Sequence, residues 1–344
     1  MDINTNIFRA YDIRGIAYKD LSEQIVTELG RSLGSLALTR GENSLIIGRD
    51  GRNSSPDMYD WLTKGIKSTG CNVINIGIVP TPLLYFSTHK LSSSSGVMIT
   101  GSHNPANYNG FKIVNNKKTI SGKEIQEIKV KVLEQNFLVG KGVEEEIEVV
   151  QMYLKELKSN IEIQRPIRLA IDCGNGAGSV LAQETYESLG CEVEAIYSDL
   201  DGSFPNHHPD PSKPENLKDL IDIVLDKNLE IGLAFDGENV WVANGGDNTV
   251  MKITPEGDLL NIIRIGTGRT APSGLLFDGK FIWVAASWGN NITKLNLDGE
   301  VVKTVPIPGA HPSPWALAWD GEAVWVASIA VSYTHLTLPT NREV

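Results

Sequence analysis

Positive charge is in short supply: the 344 residues hold 31 Lys and Arg against 42 Asp and Glu, a net charge of −11. A general nucleic-acid or anionic-membrane binder needs a basic face, so the balance argues against both, although a small phosphorylated ligand would need only a local positive pocket. Cysteine is scarce as well. Cys71, Cys173 and Cys191 are odd in number and not spaced as CxxC, so they suggest neither a disulfide framework nor a zinc site. No apolar run is long enough to span a membrane, and the opening MDINTNIFRAYDIRG is polar and mixed in charge, unlike a signal peptide. The expected setting is the cytoplasm, with neither nucleic acid nor membrane as a partner.

What is present is ordinary in total, 41% apolar and 21% charged, and enough chain for two or three domains. The distribution is uneven. Of seven Trp only Trp61 precedes residue 240, and of nine Tyr only Tyr333 follows residue 197. That shift places a boundary near IGLAFDGENVWVANGG (231–246).

Before the boundary, short apolar runs alternate with helical patterns. Leu29, Leu33 and Leu36 recur at helical spacing after a possible cap at Asp20 or Ser22. SLIIG (44–48), NVINIGI (72–78) and GVMIT (96–100) read as buried strands, with helices opening at Pro56 and spanning Ile120–Leu133. The alternation restarts near residue 150 with a helix, the strand Ile167–Asp172, the loop CGNGAGS, a helix over Ala182–Leu189 and the strand Cys191–Ile196. This predicts α/β units with a mainly parallel sheet and ligands at the carboxyl ends of the strands, in two domains over 1–150 and 151–237.

TGSHNP (100–105) follows GVMIT directly, so Ser102 stands on a strand-to-loop corner and Gly101 lets the backbone approach a ligand. Ser, Asn and Pro also form ordinary turns, and local chemistry leaves both readings open. The same holds for GRDGR (48–52), which reads as a turn with internal ion pairs. GNGAGS lacks the Lys of a P-loop and reads as a strand-to-helix turn, and the adjacent His207 and His208 read as loop residues among prolines.

FRAYDIRG (8–15), IIGRDGRNSSP (46–56), GIVPTP (77–82), GVMITGSHNPANYNGFKI (96–113), IDCGNGAGS (171–179) and DGSFPNHHPDPSKPENL (201–217) occur in one order. Together they resemble the phosphohexomutases, the phosphomannomutase/phosphoglucomutase family, over about residues 5–237, the first two of that family's four domains. The resemblance implies phosphoryl transfer on hexose phosphates through a phosphoserine at Ser102. His103, Arg14 and Lys112 match catalytic side chains, and Tyr11 a residue that meets the substrate. It also implies Mg²⁺, held by Ser102 and by an aspartate loop of the form DGDGDR that begins here at Asp236. Glu238 takes the place of the second aspartate of that loop, Val240 the third and Trp241 the arginine. Valine offers Mg²⁺ no side-chain oxygen.

After the boundary the pattern is repetition. FDGENVWVA, FDGKFIWVA and WDGEAVWVA place Asp236, Asp278 and Asp320, and likewise Trp241, Trp283 and Trp325, at intervals of 42. A period near 40 with several short strands suits β-propeller blades. The segment 238–330 resembles NHL-like and streptogramin-lyase-like propellers and is expected to be an incomplete set of blades, with the Trp packed between neighbours. Residues 331–344 fit neither part. They read as a disordered tail or, since Ser332–Val344 resembles translated sequencing-adapter read-through, as an artefact. Taken together these readings predict a phosphohexomutase-derived chain with little turnover. The alternatives are a non-catalytic binding protein with propeller-type blades, and an assembly chimera with no native function.

Overall fold

The computed structural model describes residues 4–9, 12–102, 104–211, 214–234, 240–244, 249–253, 259–265, 270–277, 281–296, 299–308, 313–319, 323–328 and 338–339. Tyr11, His103 and Asp236 lie outside the described residues. The chain divides into two compact units, one of residues 1–211 and 216–237, the other of 212–215 and 238–344.

The first unit opens with β1 (Ile13–Ile16) and α1 (Glu23–Thr39), whose N-terminus is capped by Ser22 accepting from the Ile25 amide. Then come β2 (Ser44–Arg49), α2 (Ser55–Lys67), β3 (Asn72–Ile78), α3 (Thr81–Lys90), β4 (Gly96–Ile99), β5 (Tyr108–Asn115), β6 (Lys118–Thr119), α4 (Lys123–Glu134) and β7 (Glu144–Glu146). The sheet runs β1-β5-β4-β2-β3-β7, with β6 beside β5. β4, β2, β3 and β7 are mutually parallel, while β5 runs antiparallel to both β4 and β1. The sheet is thus parallel on one side and antiparallel on the other, where NYNGFKI returns along β4.

Continuous apolar strands are what a sheet covered on both faces requires. Along β2 the faces alternate: Leu45 and Ile47 pack with α1, α2 and α4 through Leu29, Leu62 and Ile128, while Ile46 packs with Leu83 and Leu84 of α3. Three layers result, helix on sheet on helix. A smaller parallel sheet follows, built from α5 (Val150–Asn160), β8 (Arg168–Asp172), α6 (Ala182–Ser188), β9 (Glu192–Ile196), α7 (Lys218–Asp226) and β10 (Ile231–Ala234), in strand order β10-β8-β9. Its core holds Leu169, Ile171, Ala182 and the two buried thiols Cys173 and Cys191. All three cysteines are unpaired by disulfides.

The second unit is made of strands. β11 (Val240–Asn244), β12 (Thr249–Ile253) and β13 (Leu259–Arg264) form one antiparallel sheet. β14 (Pro272–Phe277), β15 (Ile282–Ala286), β16 (Asn291–Leu295) and β17 (Val301–Pro306) form a second. β18 (Pro314–Trp319), β19 (Ala323–Ser328) and β20 (Leu338–Pro339) form a third. The sheets follow the 42-residue repeat, and among the described residues they do not close into a ring. Trp283, 3% exposed, packs with Val324 and Val326 of the following sheet, which places this one of the repeated tryptophans between neighbours.

Candidate active site

The loops that leave the carboxyl ends of β2, β3, β4 and β8 meet around one cavity of about 300 Å³ in the first unit. Ser102 and Lys112 both line it. Such placement is the rule for open α/β sheets, because the loops there carry free backbone groups away from the core. Lys112 comes from β5, opposite Met98 on β4, so the antiparallel return of that strand brings it to the cavity that Ser102 also lines. Arg14 lies on β1, opposite Gly110 of β5, and is not among the lining residues. It is largely buried and ion-paired to Asp12, and its Nε has no hydrogen-bond partner among the described residues.

Ser102 adopts φ 53°, in the left-handed region that L residues enter at a cost. Its amide donates to Thr100 Oγ1 at 2.9 Å, and the Asn104 amide and side chain both donate to the Gly101 carbonyl, at 3.0 and 2.9 Å. Beneath the loop lies Arg52, whose side chain is 0% exposed. Its guanidinium donates to the carbonyls of Ser102 (2.6 Å), Asn104 (2.7 Å), Pro105 (2.7 Å) and Tyr108 (3.1 Å). Asp50 Oδ2 accepts from the Gly101 amide at 3.2 Å and sits 3.2 Å from Arg52 Nε, an ion pair without the alignment of a hydrogen bond. Burial lowers the guanidinium's pKa and the Asp50 charge opposes that.

GRDGR therefore does form a turn with an ion pair inside it, but sequence reasoning missed the reach of Arg52 across to the serine loop. Only the spacing of Asp50 and Arg52 about a glycine hinted at it. His207 does lie in a loop, as its proline-rich surroundings suggest, and its Nε2 comes 3.0 Å from Asp172 Oδ2 at the end of β8. The turn CGNGAGS takes positive φ at Gly174 (52°) and Asn175 (56°) and contributes Gly176 and Gly178 to the cavity lining. Cys173 lines the cavity too, but burial pushes its thiol up to about 11, so it stays protonated and is a poor nucleophile.

The donors for a metal are fewer than the sequence resemblance requires. Val240, in the third place of the aspartate loop, opens β11 and pairs with Ile253. Among the described residues no group of three or more His, Cys, Asp or Glu could hold a metal ion. None of their helices is long and apolar enough to cross a membrane.

Comparison with known proteins agrees with this geometry. Residues 5–138 match the phosphoglucomutase/phosphomannomutase alpha/beta/alpha domain I, and residues 151–239 match domain II. A phosphomannomutase/phosphoglucomutase of Pseudomonas aeruginosa is 45% identical over 233 residues, 68% of this chain and 50% of that protein. A phosphoglucomutase of Neisseria meningitidis is 43% identical over 239 residues, 69% of this chain and 52% of that one. The chain thus spans about half the length of the curated relatives it matches. A crystal structure of a phosphoglucomutase/phosphomannomutase family protein from Burkholderia thailandensis superposes with a TM-score of 0.67 at 37% identity, covering 75% of this chain and 57% of that one.

Proposed function

The chain belongs, over residues 5–138 and 151–239, to the phosphoglucomutase/phosphomannomutase family, and from that premise we propose that Ser102 accepts a phosphoryl group from a hexose phosphate. The observation that carries the reading is Ser102 itself, held at φ 53° on the loop after β4 and sharing one cavity with Lys112. In the transfer, the bond between phosphorus and the sugar oxygen breaks and a bond to Ser102 Oγ forms. The sugar oxygen keeps the electron pair and takes up a proton to become a hydroxyl, while the serine hydroxyl gives up its proton, so the proton count balances. Phosphoryl transfer depends on in-line positioning and on neutralising the equatorial oxygens. Lys112 supplies a positive charge at the cavity wall, with Arg14 one strand further out. His103 and Tyr11 are assigned by motif alone, as neighbours of the serine and of the sugar.

Bound Mg²⁺ would balance charge on the transferred phosphate, but the residues present do not fit it: Asp236 and Ser102 are left without the third-position carboxylate, which is Val240 here. We therefore assign this chain a single, slow transfer to Ser102 and no sustained interconversion of hexose phosphates. The direct test is incubation of the full chain with glucose 1,6-bisphosphate, followed by site-resolved mass spectrometry. One phosphoryl group on Ser102, absent from Ser102→Ala, is expected; label elsewhere, or none, would overturn the assignment.

A further inference from the structure

We propose that Arg52, braced by Asp50, is the positioning residue of the Ser102 loop, holding four of its carbonyls from behind so that the serine faces the cavity. The inference rests on the reading of Ser102 as phosphoryl acceptor.

A buried guanidinium is costly unless its donors are used or its charge is paired; here the terminal donors are used on one target, and Nε faces the Asp50 carboxylate without a hydrogen bond. Both terminal nitrogens of Arg52 donate only to carbonyls of residues 102–108, at 2.6 to 3.1 Å. The planar fork is what makes this possible. An ammonium presents a point charge on a flexible stem and cannot reach acceptors spread over both ends of a guanidinium. The loop lies flat against the group, since a Cβ added to Gly101 would come within 2.5 Å of Arg52 Cζ and Nε. Asp50 closes the other side: Oδ2 takes the Gly101 amide, while Oδ1 takes the Arg52 amide at 3.0 Å and the Ser55 hydroxyl at 2.6 Å.

The smaller α/β domain completes the enclosure. The Phe204 ring stands 5.1 Å from Arg52 Cζ. A Cβ on Gly202 would meet the Asn53 amide and the Gly51 carbonyl at 2.5 Å, so the 201–204 turn packs directly on the 50–53 turn. Phe204, the 201–204 turn and Asp50 thus flank the guanidinium of Arg52, whose side chain is 0% exposed although Arg52 and Asp50 also stand in the cavity lining. The left-handed backbone of Ser102 is held by this arrangement, as strained residues are where their surroundings over-determine them.

The test compares the full chain with Arg52→Lys in single-turnover labelling by glucose 1,6-bisphosphate, alongside hydrogen exchange resolved to peptides. Misplacing a nucleophile costs rate without weakening ground-state binding. The rate at saturation should therefore fall roughly tenfold or more while the half-saturating concentration stays within about twofold. Amides of 101–108 should exchange faster in the variant while α1 and α2 keep their protection. Wild-type labelling rates, or unchanged exchange over 101–108, would overturn the proposal. If the wild-type chain takes no label, the reading of Ser102 fails and exchange alone decides the role of Arg52, by the same two outcomes. If circular dichroism shows Arg52→Lys unfolded, Asp50→Asn serves instead, with the same loss at saturation expected and wild-type rates overturning the inference.

Discussion

Ser102 combines a chemical role with an unfavourable backbone, and the two can be separated. Glycine enters the left-handed region without the Cβ clash that costs an L residue about 1 kcal/mol or more. Ser102→Gly is therefore expected to raise the thermal midpoint of the first unit while removing all label from the loop. A lowered midpoint in differential scanning calorimetry would show that the φ of 53° is not a source of strain. At this scale the family resemblance, rather than local chemistry, singles out the candidate residues. TGSHNP and NGFK pointed to Ser102 and Lys112, and the two share a cavity. The sequence was unreadable where a side chain acts far along the chain. GRDGR carries at most the spacing of Asp50 and Arg52 as a hint that Arg52 will bond carbonyls more than 50 residues away, because that depends on how β2 and β4 lie together in the sheet.

Among the elements, α1 and α2 cross at two glycines. A Cβ on Gly65 would fall 2.1 Å from the Thr27 carbonyl, and one on Gly30 would fall 2.2 Å from that of Leu62. In a free helix Gly→Ala gains about 1 kcal/mol. Here the overpacking should win, and Gly65→Ala is expected to destabilise the protein by about 1–3 kcal/mol in urea unfolding. A stabilised variant would contradict the close crossing.

The edge strand β7 is held differently. Glu144 accepts from Tyr59 at 2.6 Å and from Lys67 at 2.5 Å. Burial raises the Glu144 pKa, but the bonds from Lys67 and Tyr59 outweigh it and leave the carboxyl below its ordinary value. A carboxylate lowered on folding stabilises the fold above its unfolded pKa and loses that contribution as pH falls through the folded one. Glu144→Gln should therefore cost stability at neutral pH and flatten the loss on acidification below the ordinary glutamate range. An unchanged slope of stability against pH would refute the linkage. Three consecutive glutamates carry no strand signal, which is why β7 was not foreseen. The compact apolar runs of β2, β3 and β4 were, because burial on both faces imposes them. The antiparallel side of the first sheet escaped the alternation rule, since β5 follows β4 through a loop with no intervening helix.

For the whole molecule, the segment around 231–237 is where two patterns meet. By the repeat, GLAF corresponds to GLLF and ALAW, which lie in β14 and β18 and pair with the VWVA-type strands β15 and β19. In its own place, Ile231–Ala234 is β10 and pairs in parallel with β8, from Ile231 opposite Leu169 to Ala234 opposite Asp172. The strand belongs to the α/β sheet, and among the described residues the first sheet of the second unit has three strands where the next has four. The few letters LAFDG suit both patterns, so the sequence alone left Asp236 with two readings. Reads spanning codons 230–240 without a drop in coverage would support a natural fusion, and a break there an assembly join.

The measurement that bears most directly on the account is a phosphorus NMR time course of the full chain with excess glucose 1,6-bisphosphate and Mg²⁺. One phosphoserine resonance per chain, an equal amount of hexose monophosphate and then no further change are expected. Sustained interconversion of the 1- and 6-phosphates, or the absence of any phosphoserine, would contradict it.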